Sequence, residues 1–440
     1  MFAHRALRLS LARLTLPPTF RPSVIASQSI MASVRRVSSP AFTPRQFPSA
    51  GFEMINPAEK VEEERLPFYQ MEDFYPMQIG EVVGGHYQVV GKLGYGTSST
   101  VWLARDLRDQ KFWALKVHIN TLKHNQELEV YRHLDSTPAE EYIINQQHIR
   151  RLETSFELHG PHGSHLVFVM APMTMSLQSF LGLRRGKPFE PIYVQQVVNQ
   201  VLVGLCYLHA VDVIHADLHP GNLLIGITDD SIPSVVEERE LHNPSERKRV
   251  HDRTIHTSQI MLGGRGPLTI CDLGQARIGE SHRGPAGPIP YRSPEVILGM
   301  EWGNPIDLWS VGLMAWDLLE KEPLVGLYDE ASPEQNDAHH LATLTALLGP
   351  PPSEFLQRSE NTAKFWNADG QWKGPVPLPS DKTLESLASA LVGEEKSLFL
   401  DFIRCLLRWV PEERPDCTDA YFHPWLGNKH PDLEPEENDA

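Results

Sequence analysis

The sequence predicts an α+β fold in which a β-rich region is followed by a larger, mainly helical one. Between residues 87 and 170 the apolar residues fall into short runs rich in Val, Trp and Phe, separated by turn residues, as in an antiparallel meander. After residue 173 apolar residues recur at helical spacing instead. Hydrophobic residues make up 41% of the 440 positions and charged residues 22%, so most of the chain is expected to fold around a large core.

Each predicted element depends on a local pattern. Three strands are expected in the runs YQVVGKLG, STVWLARD and KFWALKVHI, then a helix over 123–134, then two more strands over 150–170. In the second region residues 195–210, 305–320 and 399–410 predict core helices. Residues 305–320 are apolar nearly all round, which predicts a central position in the larger lobe.

Three further segments differ in composition from the two main regions. Residues 53–86 are acidic and aromatic, and predict a lead-in segment that lies on the domain. Residues 228–266 are polar and charged, and predict an inserted surface loop with one solvated helix. Residues 427–440 form an acidic C-terminal tail that is expected to be loose.

The N-terminal segment, residues 1–52, contains seven arginines and no acidic residue. On a helical wheel Leu7, Leu11 and Leu14 share one face and several arginines gather opposite. This composition is typical of a mitochondrial transit peptide. A disordered tail, or a true start at Met31, explains it as well.

The charge of the chain is unevenly distributed. The formal net charge is −16, and without the seven N-terminal arginines the remainder holds 33 basic and 56 acidic residues, a charge of −23. Such a body would repel phosphates, so direct nucleic-acid binding is not expected, and a basic protein partner suits it better. The alternative is an acidic surface that only aids solubility.

The cysteines bear on the compartment of the protein, and the apolar runs bear on whether it crosses a membrane. The four cysteines include no C-x-x-C pair, which predicts reduced thiols and an intracellular protein. No apolar run approaches the ~20 residues that cross a bilayer, so no transmembrane helix is expected.

Two features of the β-rich region suit phosphate binding. Gly94-Tyr95-Gly96 lies between the first two predicted strands, where glycines let backbone amides approach phosphates, although a plain hairpin turn has the same pattern. Lys116 lies in an apolar strand, where an unpaired ammonium is costly unless it reaches solvent. Glu127, on the predicted helix, is its expected partner, since Glu129 would point to a different helix face.

The strongest segment is His215-Ala-Asp-Leu-His-Pro-Gly-Asn222, a loop between a buried helix and a short strand. A carboxylate at Asp217 can accept a hydroxyl proton, and the amide of Asn222 can ligate Mg²⁺. A metal site made by His215 and His219 is the alternative, but no third ligand is evident. Asp272, at the end of a strand in ICDLG, suits a metal ligand in a nucleotide site, although alone it is compatible with a turn.

Further along the chain come YRSPE, beginning at Tyr291, then Asp307 in DLWSVG, and finally Arg414 in PEERP. Taken in this order, these segments resemble the signature set of the protein kinases over roughly residues 87–426. The resemblance implies the two-lobed protein kinase fold, with ATP between a β-rich N-lobe and a mainly helical C-lobe. The implied lobes are residues 87–173 and 174–426, the latter carrying 228–266 as a spacer.

The same resemblance assigns roles residue by residue. It implies that Asp217 is the catalytic base, that Lys116 binds the α- and β-phosphates with Glu127 as its partner, and that Asn222 and Asp272 hold Mg²⁺. Met170 is the implied gatekeeper and residues 171–173 the hinge. The residues implied around the nucleotide are Leu93, Gly94, Gly96, Val101, Ala114, Lys116, Met170, Ala171, Met173 and Leu224. A structural ion pair between Glu295 and Arg414, and a capping role for Asp307 beneath the catalytic loop, are also implied.

Among kinases the chain looks most like the SR-protein kinases, especially their shorter fungal-type relatives. The features that carry this resemblance are GYGTSSTVWLARD, DLG in place of DFG, YRSPEV, and the insertion at 228–266. It implies a serine/threonine kinase that acts on serines of Arg/Ser-rich splicing proteins in the cytoplasm and nucleus. Candidates for an acidic docking surface are Asp329, Glu330, Glu334 and Asp337, with a solvated loop as the alternative.

Two positions depart from the usual kinase pattern. Ala216 stands where many kinases have an arginine that binds a phosphorylated activation loop, and the SR-protein kinases also lack it, which implies activity without loop phosphorylation. His219 stands where a lysine usually contacts the γ-phosphate, and we expect it to take that place less effectively. Two alternatives stay open: an ATP-binding pseudokinase with little turnover, and a kinase with a mitochondrial substrate.

Overall fold

The structure is a computed structural model that describes residues 42–142, 144–251, 253–328, 332–380 and 382–428. The transit-like helix expected before residue 20 and most of the acidic tail after residue 428 lie outside the described residues. Two lobes are present, a β-rich one and a mainly helical one, and the prediction of a two-lobed α+β fold is confirmed.

The small lobe is built on a six-stranded antiparallel sheet with the order β1-β2-β3-β4-β6-β5. Its strands are β1 (Val82–Val83), β2 (Tyr87–Gly96), β3 (Ser99–Asp106), β4 (Phe112–His118), β5 (Leu152–Gly160) and β6 (Gly163–Met170). One face buries a core that includes Val89, Trp102, Leu115 and Val167. Helix α1 (Gln126–Ser136) packs beside the sheet, and the side chain of Asn125 caps its N-terminus by accepting from Leu128 N.

The large lobe is mainly helical, as its periodicity predicts. Its helices are α2 (Leu177–Leu183), α3 (Pro191–Ala210), α4 (Ser231–His242), α5 (Pro294–Ile297), α6 (Pro305–Leu319), α7 (Pro333–Leu348), α8 (Ser353–Leu356), α9 (Leu384–Leu387), α10 (Gly393–Leu406) and α11 (Cys417–Tyr421). Nearly every residue of α6 is buried, because α3 and α10 pack against it. Its apolar surface therefore lies at the centre of the lobe, as the sequence predicts.

Short strands join the two lobes at the back of the cleft. Strands β7 (Met173–Ser176), β9 (Leu223–Gly226) and β12 (Leu268–Ile270) form a three-stranded sheet in the order β12-β9-β7. Strand β8 (Val213–Ile214) pairs with β13 (Arg277–Ile278). Because β8 and β9 flank residues 215–222, this framework holds the predicted catalytic loop at the cleft.

The expectation that residues 228–266 form a solvated surface loop is wrong, although the one helix expected there is present as α4. The segment contains α4 and a hairpin of β10 (Arg247–Val250) and β11 (Arg253–His256), and it packs on the β-sheet of the small lobe. Val236 and Met261 are buried with Val90, Leu103 and Phe112. Several of the charges that suggested solvent exposure are buried and paired, namely Glu237, Glu240, Arg247 and Lys248, so polarity is a poor guide to exposure here.

The lead-in segment supplies carboxylates for buried lysines of both the sheet and the insertion. The Lys92 ammonium, whose side chain has 0% exposure, pairs with Glu63 and lies 3.4 Å from Glu62 Oε2. Lys248 Nζ lies 2.7 Å from Glu64 Oε2, and Arg247 Nη2 lies 2.7 Å from Glu240 Oε1 within the insertion. We call residues 42–75 together with residues 228–266 the cap, since they cover one side of the small lobe jointly.

Within the described part of the chain no helix is long and apolar enough to cross a membrane.

Candidate active site

A cavity of about 360 Å³ lies between the two lobes and collects most of the predicted nucleotide residues. Lys116 and Asp272 lie at its inner end, and the glycine segment of β2 covers it. The predicted residues that line it are Leu93, Gly94, Gly96, Val101, Lys116, Met170, Met173, Leu224, Asn222 and Asp272, together with Glu127.

Two predicted nucleotide residues do not line this cavity. Ala114 is buried in the sheet, where it pairs with Met170 of β6 and Leu103 of β3. Ala171 is exposed, and its carbonyl accepts a hydrogen bond from Arg150 Nη2 at 3.1 Å. Arg150 itself lines the cavity, and no sequence motif indicated it.

The inner end of the cavity is held by a chain of charges. Lys116 Nζ lies 2.7 Å from Glu127 Oε2 of α1 and 3.0 Å from Asp272 Oδ1. Glu129, the other candidate partner, instead lies 3.3 Å from His124 on the surface. Helix α1 is therefore placed with Glu127 turned inward, which is the arrangement that the resemblance requires for phosphate binding.

Burial and charge set the protonation states of this chain. The neighbouring ammonium of Lys116 lowers the pKa of Asp272 to about 2, although burial opposes it. Burial also opposes the charge of Lys116, but Glu127 and Asp272 outweigh it and raise its pKa. Asp272 is therefore ionised at neutral pH, as a Mg²⁺ ligand must be.

Asp217 and Asn222 are brought together by the loop between β8 and β9. Asn222 Nδ2 donates to the Asp217 carbonyl oxygen at 2.9 Å and lies 3.3 Å from Asp217 Oδ2. Because the amide nitrogen is engaged in this way, Oδ1 is the atom left to serve as a metal ligand. Asp272 adopts a left-handed backbone with φ 62°, stabilised by Gly274 N donating to Oδ1 at 3.2 Å.

The carboxyl group of Asp217 is largely shielded from solvent. Burial raises its pKa to about 6, with Asp272 adding to the shift and His215 and Asn222 opposing it. A base with a pKa just below neutral is ionised at pH 7 and still able to take up a proton. Both properties suit the acceptance of a hydroxyl proton.

Asp307 of α6 anchors the loop from below, as the resemblance implies. Its two oxygens accept from His215 N and Ala216 N, each at 2.9 Å. His209 Nε2 lies 2.8 Å from Asp307 Oδ2. Ala216 has φ 62°, a strained backbone that these bonds hold in place.

The two histidines of the loop are not arranged to bind a metal. His215 Nδ1 accepts from Asp217 N at 3.2 Å and its Nε2 faces the Cys271 carbonyl at 3.2 Å, so both nitrogens are used. His219 Nδ1 accepts from Gly221 N at 3.1 Å. No group of three or more His, Cys, Asp or Glu side chains suited to a metal ion occurs in the described ranges.

His219 stands where we expect a weaker substitute for the lysine that usually contacts the γ-phosphate. Its ring lies beside Tyr291 and does not line the nucleotide cavity. Burial, aided by His215, lowers its pKa to about 4, so the imidazole is neutral at pH 7. With Nδ1 accepting from the backbone, the proton of the ring is on Nε2, which leaves one neutral donor where a lysine would supply a charge.

Comparison with known proteins agrees with this geometry. The family described as protein kinase domain matches residues 87–234 and 241–426, which is most of the chain. This chain belongs to the protein kinase family. A serine/threonine protein kinase of Aspergillus fumigatus is 36% identical over 400 residues, covering 89% of this kinase and 96% of the relative.

Relatives of lower identity include kinases named SRPK and CLK1. The serine/threonine-protein kinase SRPK of Physarum polycephalum is 28% identical, covering 84% of this kinase and 93% of the relative. The dual specificity protein kinase CLK1 of Mus musculus is 25% identical, covering 79% of this kinase and 68% of the relative. The prediction of an SR-protein kinase-like serine/threonine kinase is confirmed.

The activation loop that the resemblance implies, residues 275–290, is ordered by contacts within the chain. Strand β13 pairs with β8, and Gly279 N donates to Asp212 O at 2.7 Å. The backbones of His282 and Trp302 exchange two hydrogen bonds of 2.8 and 2.9 Å, and Trp302 Nε1 donates to Gly284 O at 2.9 Å. None of these contacts needs a phosphate group, in keeping with the alanine at position 216.

The large lobe also contains the implied ion pair. Arg414 forms a bidentate pair with Glu295, at 2.6 Å from Nη1 to Oε1 and 2.8 Å from Nη2 to Oε2. Its guanidinium also lies 4.9 Å from the centre of the Trp309 ring. The pair is fully buried, and it links α5 to the C-terminal part of the lobe.

The proposed acidic docking residues receive mixed structural support. Asp329 and Glu330 lie outside the described residues. Glu334 is exposed at the start of α7, whereas Asp337 is half-buried with Arg292 Nη1 4.0 Å from its Oδ1. Arg292 therefore competes with any basic substrate for Asp337.

Proposed function

We propose that this kinase binds Mg-ATP in the cleft and transfers phosphate to serines of Arg/Ser-rich proteins, in the regulation of mRNA splicing. The observation that supports the catalytic part is the set Lys116–Glu127–Asp272 closed beside Asp217 and Asn222. A pseudokinase that had lost turnover would not need to keep both the Lys116 ion pairs and the contact between Asp217 and Asn222.

Each group has a distinct task in this proposal. Lys116 would hold the α- and β-phosphates while Glu127 keeps its ammonium in place. Asn222 Oδ1 and Asp272 would hold Mg²⁺, which neutralises charge on the phosphate oxygens when bound. Asp217 would orient the substrate serine and accept its hydroxyl proton. His219 would add a single neutral hydrogen bond, so we expect a slower enzyme than one with lysine there.

The substrate class is supported by charge and by similarity. The chain after residue 52 carries −23, and relatives of this kinase are named SRPK and CLK. A basic peptide would be attracted to such a body, and the attraction would weaken with salt.

The test is phosphorylation by purified kinase with Mg-ATP and three peptides: an Arg/Ser repeat, the same repeat with lysine for arginine, and an acidic control. We expect transfer to the Arg/Ser repeat in preference to both others, and a KM for that peptide that rises with salt. Asp217→Asn serves as the background. Binding of Mg-ATP without transfer to any peptide would favour the pseudokinase, and equal use of the acidic peptide would overturn the substrate class.

A further inference from the structure

One wall of the nucleotide cavity comes from a segment outside the kinase motifs. Gln259, Ile260 and Met261 of the cap line the cavity together with Leu93 of β2 and Met173 of β7. Their position within a polar insertion gives no hint of this in the sequence. The cavity is therefore bounded by the two lobes and by the cap.

This wall is fixed to the small lobe by specific contacts. Gln259 N donates to the Lys92 carbonyl at 2.8 Å, which joins the wall to the strand that leads into the glycine segment. Gln259 Nε2 donates to Glu240 Oε2 of α4 at 2.6 Å. Met261 is 3% exposed and packs with Val90.

The same segment is also tied to the large lobe. After Met261 the chain passes along β9, where Gly266 N donates to Gly226 O at 3.0 Å, and then enters β12. A side chain at Gly264 or Gly266 would collide with that strand, since an added Cβ would meet Gly226 atoms at 3.0 or 2.8 Å. The wall is thus held in place from both sides of the cleft.

Ile260 is the residue of this wall that is free to contact a ligand. It is 46% exposed, although Met261 beside it is buried. Its branched apolar side chain borders the same cavity as Leu93 and Met173, whose side chains are also apolar. An apolar wall suits the nucleoside part of a nucleotide rather than its phosphates, for which Lys116 is the suitable partner.

We propose that residues 259–261 form a third wall of the nucleotide site and that Ile260 packs against the nucleoside part of ATP. The inference rests on the proposed use of ATP in this cleft. It makes the cap a part of the nucleotide site, in addition to its packing on the small lobe.

The test is equilibrium binding of Mg-ATP, Mg-ADP and adenosine to the full chain by calorimetry. Ile260→Ala removes apolar contact and should raise all three dissociation constants by roughly threefold to tenfold. Ile260→Asp places a carboxylate beside the nucleoside and should raise them by roughly tenfold or more. Leu262→Asp is the matched control, since Leu262 is 61% exposed and shares a neighbouring cavity with Ile260 but does not line the nucleotide cavity. Thermal unfolding checks that each variant folds.

The outcomes separate this inference from the proposed function. A loss of affinity in both Ile260 variants that is absent in Leu262→Asp, and that is similar for the three ligands in Ile260→Ala, supports the wall formed by residues 259–261. Unchanged affinity in both Ile260 variants, or the same loss in Leu262→Asp, overturns it. A wild-type chain that binds Mg-ATP but transfers no phosphate to any peptide overturns the proposed function alone, and one that binds no nucleotide overturns both.

Discussion

Asp217 and His219 lie two residues apart in one buried loop, and desolvation shifts their pKa values in opposite directions. Burial disfavours the charged form of each group. It raises the pKa of the Asp217 carboxyl to about 6 and lowers the pKa of the His219 imidazole to about 4. At pH 7 the loop therefore presents one ionised base and one neutral donor.

Substitution of the base and of the metal ligand should have different effects. Asp217→Asn should lower kcat by ~10²–10⁴, the range for a lost general base, and should leave Mg-ATP affinity nearly unchanged because Asp217 does not line the nucleotide cavity. Asp272→Ala should weaken Mg-ATP binding as well, since it removes a metal ligand and the partner of Lys116. Peptide phosphorylation and calorimetry measure the two effects. Near-normal turnover in both variants would contradict the site.

The pH dependence should follow Asp217. Asp217 acts as a base in its ionised form, and its pKa is raised to about 6. The value of kcat/KM for Mg-ATP should therefore fall as the pH drops below 6, with a slope that approaches roughly tenfold per pH unit. His219 should contribute no change between pH 5 and 8, since it stays neutral above about 4. The pH at which kcat/KM is half its maximum should thus be the same in His219→Asn as in the wild type. A rate that rises as pH falls would instead show that His219 acts as a cation.

At the scale of elements, the cap is stabilised by buried ion pairs. Lys92 of β2 is fully buried, and its partners Glu62 and Glu63 come from the lead-in segment. Such pairs add little net stability compared with apolar residues, but breaking one is costly because a charge is left buried alone. The pairing of Lys92 with Glu62 and Glu63 also specifies that the lead-in segment is the one that covers β2.

Lys92→Met should therefore lower the free energy of unfolding by about 3–5 kcal/mol. Adding Glu63→Gln should recover part of the loss, since one uncompensated carboxylate is removed. The matched control is Lys111→Met, which breaks an exposed pair with Asp109 at 3.5 Å and should cost less than about 1 kcal/mol. Urea unfolding measures all four proteins. Equal costs for Lys92→Met and Lys111→Met would contradict the buried pairing.

The activation loop is a second element whose contacts predict behaviour. Its backbone bonds to Trp302 and Asp212 need no phosphate, so phosphatase-treated kinase should keep its turnover within about twofold, a change near 0.4 kcal/mol. Trp302→Ala should lower turnover more than phosphatase treatment does, because the indole also donates to Gly284 O. Loss of activity on dephosphorylation would refute this account of the loop.

At the scale of the whole molecule, the charge is divided between an arginine-rich N-terminus and a body of −23. Part of the acidic side-chain content is engaged internally, as in Glu240 with Arg247 and Glu295 with Arg414. The acidic side chains that are not paired in this way would attract a basic substrate.

Location is a separate property, and we propose the cytoplasm and nucleus on the basis of similarity to SR-protein kinases. A reporter fused to residues 1–50 should then stay outside mitochondria. Import of that fusion, abolished by Arg5, Arg8 and Arg13→Glu together, would instead establish a transit peptide and favour a mitochondrial substrate. Microscopy with an organelle marker distinguishes the two.

The ordered motifs resemble those of the protein kinases, and that resemblance implied the fold, the pairing of Lys116 with Glu127, the pairing of Arg414 with Glu295, and a capping role for Asp307. Strand and helix positions followed from the local periodicity of apolar residues, with shifts of a few residues at their ends, as for α1 at Gln126–Ser136.

The cap, the orientation of His219 and the wall at Ile260 were decided only by tertiary structure. Charged residues are compatible equally with solvent and with buried partners, and the partners of Lys92, Lys248 and Arg105 lie 29 to 184 residues away. The periodicity of apolar residues along the chain gives no information on such long-range pairings. The direction of the His219 ring likewise depends on Gly221 N and on burial under neighbouring elements, which form only when the lobes have folded.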